Sequence, residues 1–158
     1  TSTGNGPLVT HLGADEVVDY TNQAFEQVLR GYHVVLGTIR GDALEKSVGI
    51  LKPGGQIISL IGPLDAGFAR TRKLNFVLRL IFGLMSRKII RKASAHGVGY
   101  SFLFVRPDGE QLDRIGELLS AGHISPVIDK VFPWEQAQQA LAYLAQGRAK
   151  GKVVVQIK

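Results

Sequence analysis

An α/β fold built on parallel strands is what this sequence predicts, and the stretch from Tyr32 to Pro63 carries most of that prediction. Tyr32-His33-Val34-Val35-Leu36-Gly37-Thr38 is a short β-branched run of buried-strand length, Gly41 to Ile50 reads as helix, and Gln56-Ile57-Ile58-Ser59-Leu60-Ile61 is a second apolar run. Between them, Leu51-Lys52-Pro53-Gly54-Gly55 stops the helix and turns the chain, because proline cannot continue a helix and paired glycines accept left-handed torsions. A strand, helix, strand unit with tight loops makes its strands parallel, and open parallel sheets bind ligands beyond the carboxyl ends of their strands. Thr38-Ile39 and Ile61-Gly62 are thereby expected side by side on one rim. Gly62-Pro63 ends the second strand where a backbone without side-chain bulk lets a ligand come close.

The 158 residues, 45% of them apolar, suit one domain with a sizeable core. With no cysteine, disulfides and thiolate metal sites are excluded, which fits a reducing, cytoplasmic setting. His11, His33, His96 and His123 are scattered with no i, i+4 pair, so no zinc site is expected. The chain does not open with methionine, and Thr1 is taken as the edge of a longer polypeptide.

In chain order, Thr1 to Asn5 is polar and turn-forming, and Leu8 to Leu12 is a short helix ended by Gly13. Glu16 to Asp19 is expected as a strand closing at Tyr20, and Asn22 to Leu29 as an amphipathic helix with Phe25, Val28 and Leu29 on one face. The Tyr32–Pro63 unit follows. Between Asp65 and Ala95 the chain carries Arg70, Arg72, Lys73, Arg79, Arg87, Lys88, Arg91 and Lys92 with no acid after Asp65, so this stretch is the origin of the net charge of +6. Leu74, Val77, Leu78, Ile81 and Leu84-Met85 recur there at helical spacing, with Phe76, Leu80 and Phe82 widening the apolar face.

Three readings of this segment are open: a helix covering the sheet with solvated arginines, a lid on the substrate side, or a surface for membrane or nucleic acid. Arg79 interrupts the apolar run, which is short of the about 20 residues of a spanning helix. Charge with little aromatic interleaving gives only sequence-independent attraction to phosphate, so neither a specific nucleic acid nor a membrane surface is the expected partner. Beyond it, Val98 to Val105 reads as a strand and Asp108 as the cap of a helix from Gln111 to Ala121 that Gly122 ends. Val127 to Pro133 reads as an extended connection, Trp134 to Ala145 as a helix, and Lys152 to Ile157 as the last strand.

Four motifs stand in register: Leu12-Gly13-Ala14-Asp15-Glu16-Val17-Val18-Asp19-Tyr20, Leu51-Lys52-Pro53-Gly54-Gly55, Phe102-Leu103-Phe104-Val105-Arg106-Pro107-Asp108-Gly109 and Gly147-Arg148-Ala149-Lys150-Gly151-Lys152-Val153-Val154. Over nearly its whole length the chain resembles the cofactor-binding half of the medium-chain dehydrogenases/reductases, in their quinone-reductase-like, zinc-independent branch. The resemblance implies a Rossmann-like, doubly wound, mostly parallel sheet that lacks its first strand and the glycine-rich turn holding the cofactor pyrophosphate. It departs from the family pattern at His33 and Gly37, where acidic residues are usual, and at Arg40, where glycine is usual.

The resemblance further implies an NAD(P)H-dependent oxidoreductase passing a hydride to a quinone, an enone or another carbonyl, with the chain by itself inactive. It puts Ser2, Thr3 and Tyr20 around the adenosine ribose, favouring NADP with NAD as the alternative. Lys152 is put near the pyrophosphate, and the Phe102-Leu103-Phe104 backbone at the nicotinamide end, beside the Thr38-Ile39 and Ile61-Gly62 rim. No residue is assigned as catalytic. Two other readings remain: a methyltransferase-like domain in which Asp19 holds a ribose, and a non-catalytic basic interaction module. If the family topology holds, Gly99 to Val105 is an outer strand without charges or prolines, and homodimerisation through it is expected.

Overall fold

The computed structural model describes residues 1–39 and 41–157; Arg40, one of the departures noted above, lies outside the described residues. The chain divides into two compact units, Thr1–Arg106 and Pro107–Lys158. In the first unit, β1 (Tyr32–Gly37), β2 (Leu51–Ser59) and β3 (Gly99–Phe102) form a parallel sheet in that order, so the parallel prediction holds and β3 is an outer strand. The predicted helix between β1 and β2 is shorter than its sequence span: α3 covers Ala43–Ser47 and tightens into a 3₁₀ turn at Val48–Ile50.

The Lys52-Pro53-Gly54-Gly55 turn is a slip in the ladder rather than a loop outside it. Tyr32 stands opposite Leu51 and Val34 opposite Gln56, so the residues between Leu51 and Gln56 are accommodated as an irregularity within β2. Gly54 takes φ +84°, which a residue with a Cβ rarely adopts, and its N–H donates to Gly97 O at 2.7 Å.

The 65–95 segment is two helices, α4 (Ala66–Thr71) and α5 (Phe76–Ala95), capped by the side chains of Asp65 and Asn75. Only part of α5 covers the sheet. Ser86, Ile89 and Ala93 are its buried residues, and Ile89 and Ala93 pack with Leu44, Val48, Leu51, Ile57 and Val98 in the core. Each large aliphatic side chain fully buried there stabilises the fold by about 1.5–3 kcal/mol. In the first half of α5, Leu78 and Phe82 are half-buried, Phe82 against Phe68, while Phe76, Val77, Leu80, Ile81, Leu84 and Met85 face solvent, so a helix lying on the sheet accounts for only part of its apolar surface.

Two expected elements near the N-terminus are reduced. Residues 16–19 form no strand: Thr1 meets this stretch at two points, its amino group donating to Val18 O at 2.7 Å and its carbonyl accepting Tyr20 N at 3.0 Å, while Asp19 O turns to Asn22 N and Gln23 N. The helix expected over Asn22–Leu29 survives only as α2 (Phe25–Val28). Asp19 draws Thr21 and Asn22 into a turn, and Ala24 is extended. The short helix before Gly13 is present as α1 (Gly6–His11). β3 stops at Phe102 rather than at Val105, although Leu103 N still donates to Ser59 O at 2.9 Å.

The second unit has its own parallel pair, β4 (Ile128–Pro133) with β5 (Lys152–Gln156). Its first strand is the stretch the sequence suggested was merely an extended connection; Phe132 is buried there with Ala140 of α7 (Ala137–Ala145). Asp108 caps α6 (Gly109–Ser120) as expected, accepting Gln111 N at 3.1 Å.

Candidate functional site

The first unit opens into two adjoining recesses, one running along β1 to its carboxyl end and the other beyond the carboxyl ends of β1 and β2. One, of about 310 Å³, is lined by Thr1, Val18, Tyr20, Leu36, Thr38 and Ile39 among others. The second, of about 210 Å³, is lined by Ile39, Gly41, Leu44, Ile61, Gly62 and Pro63. Ile39 and Leu44 border both, so Tyr20, Thr38, Ile39, Ile61 and Gly62, five of the residues singled out in the sequence, come together along one cleft.

The turn after β2 is built from the inside. Ser59, wholly buried, accepts Gly62 N at 2.7 Å and Ile61 N at 3.3 Å, and Tyr100 donates from its hydroxyl to Pro63 O at 2.7 Å. Burial pushes the Tyr100 hydroxyl above the ordinary phenol range, with Ser59 pulling the other way through a hydrogen bond. A Cβ on Gly62 would stand 2.5 Å from Ser59 Oγ, 2.6 Å from Leu44 Cδ1 and 2.7 Å from the Tyr100 hydroxyl. Glycine is required there by packing toward the protein.

Asp65 ties the turn to β3. One carboxylate oxygen accepts Phe68 N at 2.6 Å and caps α4; the other accepts Phe102 N at 3.2 Å. Phe102 lies edge-on to Phe68, with 5.6 Å between ring centroids, and Arg72 stacks over Phe104 at 4.8 Å. Phe102 and Phe104 thus meet α4 in an aromatic cluster, while Leu103 is exposed.

At the other end, Asp19 gathers the N-terminal residues. It accepts hydrogen bonds from the hydroxyl of Thr3, the N–H and hydroxyl of Thr21, and the amide of Asn22. These bonds, from the Thr21 hydroxyl first, then from Thr3 and the Thr21 backbone, hold its carboxyl below the ordinary aspartate value. Thr3 therefore spends its proton on Asp19, and Ser2 precedes the 3₁₀ turn Thr3–Asn5, its carbonyl accepting Asn5 N at 2.9 Å. Tyr20 is 68% exposed, with its ring at the cleft. Lys152 belongs to the second unit, where it opens β5 and is exposed.

Ser59 and Asp65 were not singled out as site residues, and Asp19 only as the ribose-holding residue of the methyltransferase-like alternative. Asp65 has a readable signal, an aspartate immediately before a helix, and Ser59 is the lone hydroxyl in an apolar strand two residues before a turn. Among the described residues no group of three or more histidines or carboxylates is arranged to hold a metal ion.

The model of a family described as zinc-binding dehydrogenase matches residues 12–155. The chain belongs to this family. It is 34% identical over 160 residues to a zebrafish (Danio rerio) protein named NAD(P)H oxidoreductase RTN4IP1, mitochondrial, covering 95% of this chain and 40% of that protein. A tomato (Solanum lycopersicum) protein named 2-methylene-furan-3-one reductase is 30% identical over 156 residues, covering 98% of this chain and 31% of its own length. Among solved structures, a quinone oxidoreductase from Coxiella burnetii superposes with a TM-score of 0.72 at 21% identity, covering all of this chain and 44% of that one. The chain therefore spans between 31% and 44% of the length of these proteins.

The cleft fits part of a nicotinamide dinucleotide. It offers a tyrosine and a threonine at the open end of parallel strands and an apolar floor of Val18, Leu36 and Ile39, suited to a flat ring and its sugar.

Proposed function

We propose that this chain is the part of a zinc-binding dehydrogenase family oxidoreductase that holds the nicotinamide cofactor, in an enzyme that passes hydride to a quinone, an enone or another carbonyl. The cleft beyond β1 and β2 carries the reading, because it joins Tyr20, Thr38, Ile39, Ile61 and Gly62 on the rim where dinucleotides lie in doubly wound folds. The relatives' names supply the reaction class. When bound, the cofactor supplies the hydride; the chain's own task is to orient it, with Thr38 and Tyr20 as hydroxyl partners and the β2 turn held rigid by Ser59 and Tyr100.

NADP is the proposed preference, with Tyr20 donating to the 2′-phosphate. Asp19 works against it, since a carboxylate beside the ribose favours an unphosphorylated sugar, so the preference is modest. Titration of residues 1–158 with NADPH, NADH and S-adenosylmethionine, followed by amide chemical shifts, tests the proposal. The expected result is weak binding of both dinucleotides with shifts at Thr38, Ile39, Ile61 and Gly62, tighter for NADPH and equalised by Tyr20→Phe. Shifts with S-adenosylmethionine alone, or none with any nucleotide at millimolar concentration, would overturn it.

Self-association through Gly99–Val105 belongs to the same proposal. The outer position of β3 supports it; the Phe102 N–H, already given to Asp65, opposes a ladder at that residue. A wild-type chain that sediments as a monomer at high concentration would remove it.

A further inference from the structure

The first half of α5 presents Phe76, Val77, Leu80, Ile81, Leu84 and Met85 to solvent, from 75% exposed at Phe76 to 43% at Ile81. Their three- and four-residue spacing puts them on one face, opposite the buried Ser86, Ile89 and Ala93, and Arg87, Lys88, Arg91 and Lys92 continue that face through the following turns. A patch of this size on one helix is uncommon on a protein surface without a partner.

The surroundings of the patch are cationic at both ends. Arg70 and Arg79 flank Phe76, Leu80 and Leu84 around a groove of about 320 Å³, and Leu84 also borders a recess of about 550 Å³ lined by Arg87, Lys88 and Arg91. No acidic residue occurs from 66 to 95. Among the described residues, only Lys88 of the eight cations in this stretch forms an ion pair with a carboxylate, to Glu45 at 2.7 Å.

We infer that α5 docks on an anionic lipid surface, lying in the interface with its apolar half in the acyl boundary and its basic half among the headgroups. Charge complementarity decides for this occupant. A bilayer bearing acidic headgroups offers apolar depth and dense negative charge together and needs no matched shape, as a convex, cation-rimmed helix face requires. The apolar half of α5 runs about 15 Å, half the hydrocarbon thickness, which suits lying in the interface and not crossing it. No described helix is long and apolar enough to span a membrane. The interruption at Arg79 and the short apolar run, which weighed against a membrane in the sequence, exclude a spanning helix and leave one lying in the interface open.

Sedimentation of the chain with vesicles of phosphatidylcholine alone and of phosphatidylcholine mixed with phosphatidylserine tests the inference. Binding is expected to the mixed vesicles only and to weaken as salt is raised. Leu80→Glu with Leu84→Glu, both on the exposed face, should weaken it about tenfold or more, and so should Arg87→Glu with Arg91→Glu, with circular dichroism unchanged. Equal binding to neutral vesicles, binding to neither, or binding that survives the leucine substitutions would each overturn it. A wild-type oligomer in sedimentation that the leucine substitutions dissolve would overturn it as well, by showing a second copy as the occupant.

Discussion

Removing the Asp65 carboxylate should cost more than any other single polar change in the first unit. The residue is buried, caps α4 through Phe68 N–H, and satisfies Phe102 N–H on the outer edge of the sheet. Loss of a helix cap costs about 1 kcal/mol. A charge-assisted bond to a partly buried amide that is then left without an acceptor costs about 2 kcal/mol more. Asp65→Ala is therefore expected to destabilise the chain by about 3 kcal/mol, a large fraction of the about 5–15 kcal/mol typical of a domain. Asp65→Asn retains one good acceptor, can still cap α4, and should lose about half as much. Urea unfolding followed by far-ultraviolet circular dichroism reads the difference, since with slopes of about 1–3 kcal/mol per molar the alanine midpoint should fall by about 1 M or more. An alanine variant within about 0.5 kcal/mol of wild type, or an asparagine variant as damaged as alanine, would refute the two-bond account.

Three further outcomes follow from the geometry of the first unit. Gly62→Ala drives a Cβ into Ser59 Oγ, Leu44 and the Tyr100 hydroxyl and should cost about 1–3 kcal/mol in thermal unfolding. Gly49→Ala, which meets nothing within 4 Å, should stay within about 0.5 kcal/mol of wild type or gain slightly. Asp19 has a folded-state pKa below its ordinary 3.8, so its stabilising contribution is complete above that value and disappears as pH falls through the lower one. Asp19→Asn should flatten this acid limb of the stability curve, and a carboxyl titration by NMR with a midpoint at or above 3.8 would contradict the hydrogen-bonded cluster.

The parallel unit of β1, α3 and β2 was legible because period and punctuation agreed: β-branched runs of strand length on either side of a proline-glycine turn leave few other arrangements. The rim residues followed from that topology alone. Residues 16–19 were misread because a β-branched pair such as Val17-Val18 reports strand propensity, while a strand also needs a neighbour's backbone along its length, and Thr1 meets it at Val18 O and Tyr20 N alone. The same limit applied to α5, where helical periodicity located an apolar face correctly and left open whether protein or solvent meets it. The local bonds of Asp19 to Thr21 and Asn22 and of Asp65 to Phe68 follow from their place at a turn and before a helix, whereas the bonds to Thr3 and Phe102 come from distant parts of the chain that no local pattern encodes.

The boundary at Arg106–Pro107 bears on the order in which the chain acquires its structure. Every strand ladder among the described residues closes on one side of it, β1 with β2 and β3 before, β4 with β5 after. A polypeptide emerging from the ribosome can therefore complete the first ladder before the second unit has fully emerged. Because no strand waits for a partner from the far side, loop closure in each unit is confined to its own length, and a two-step folding record during synthesis is the signature this division should leave.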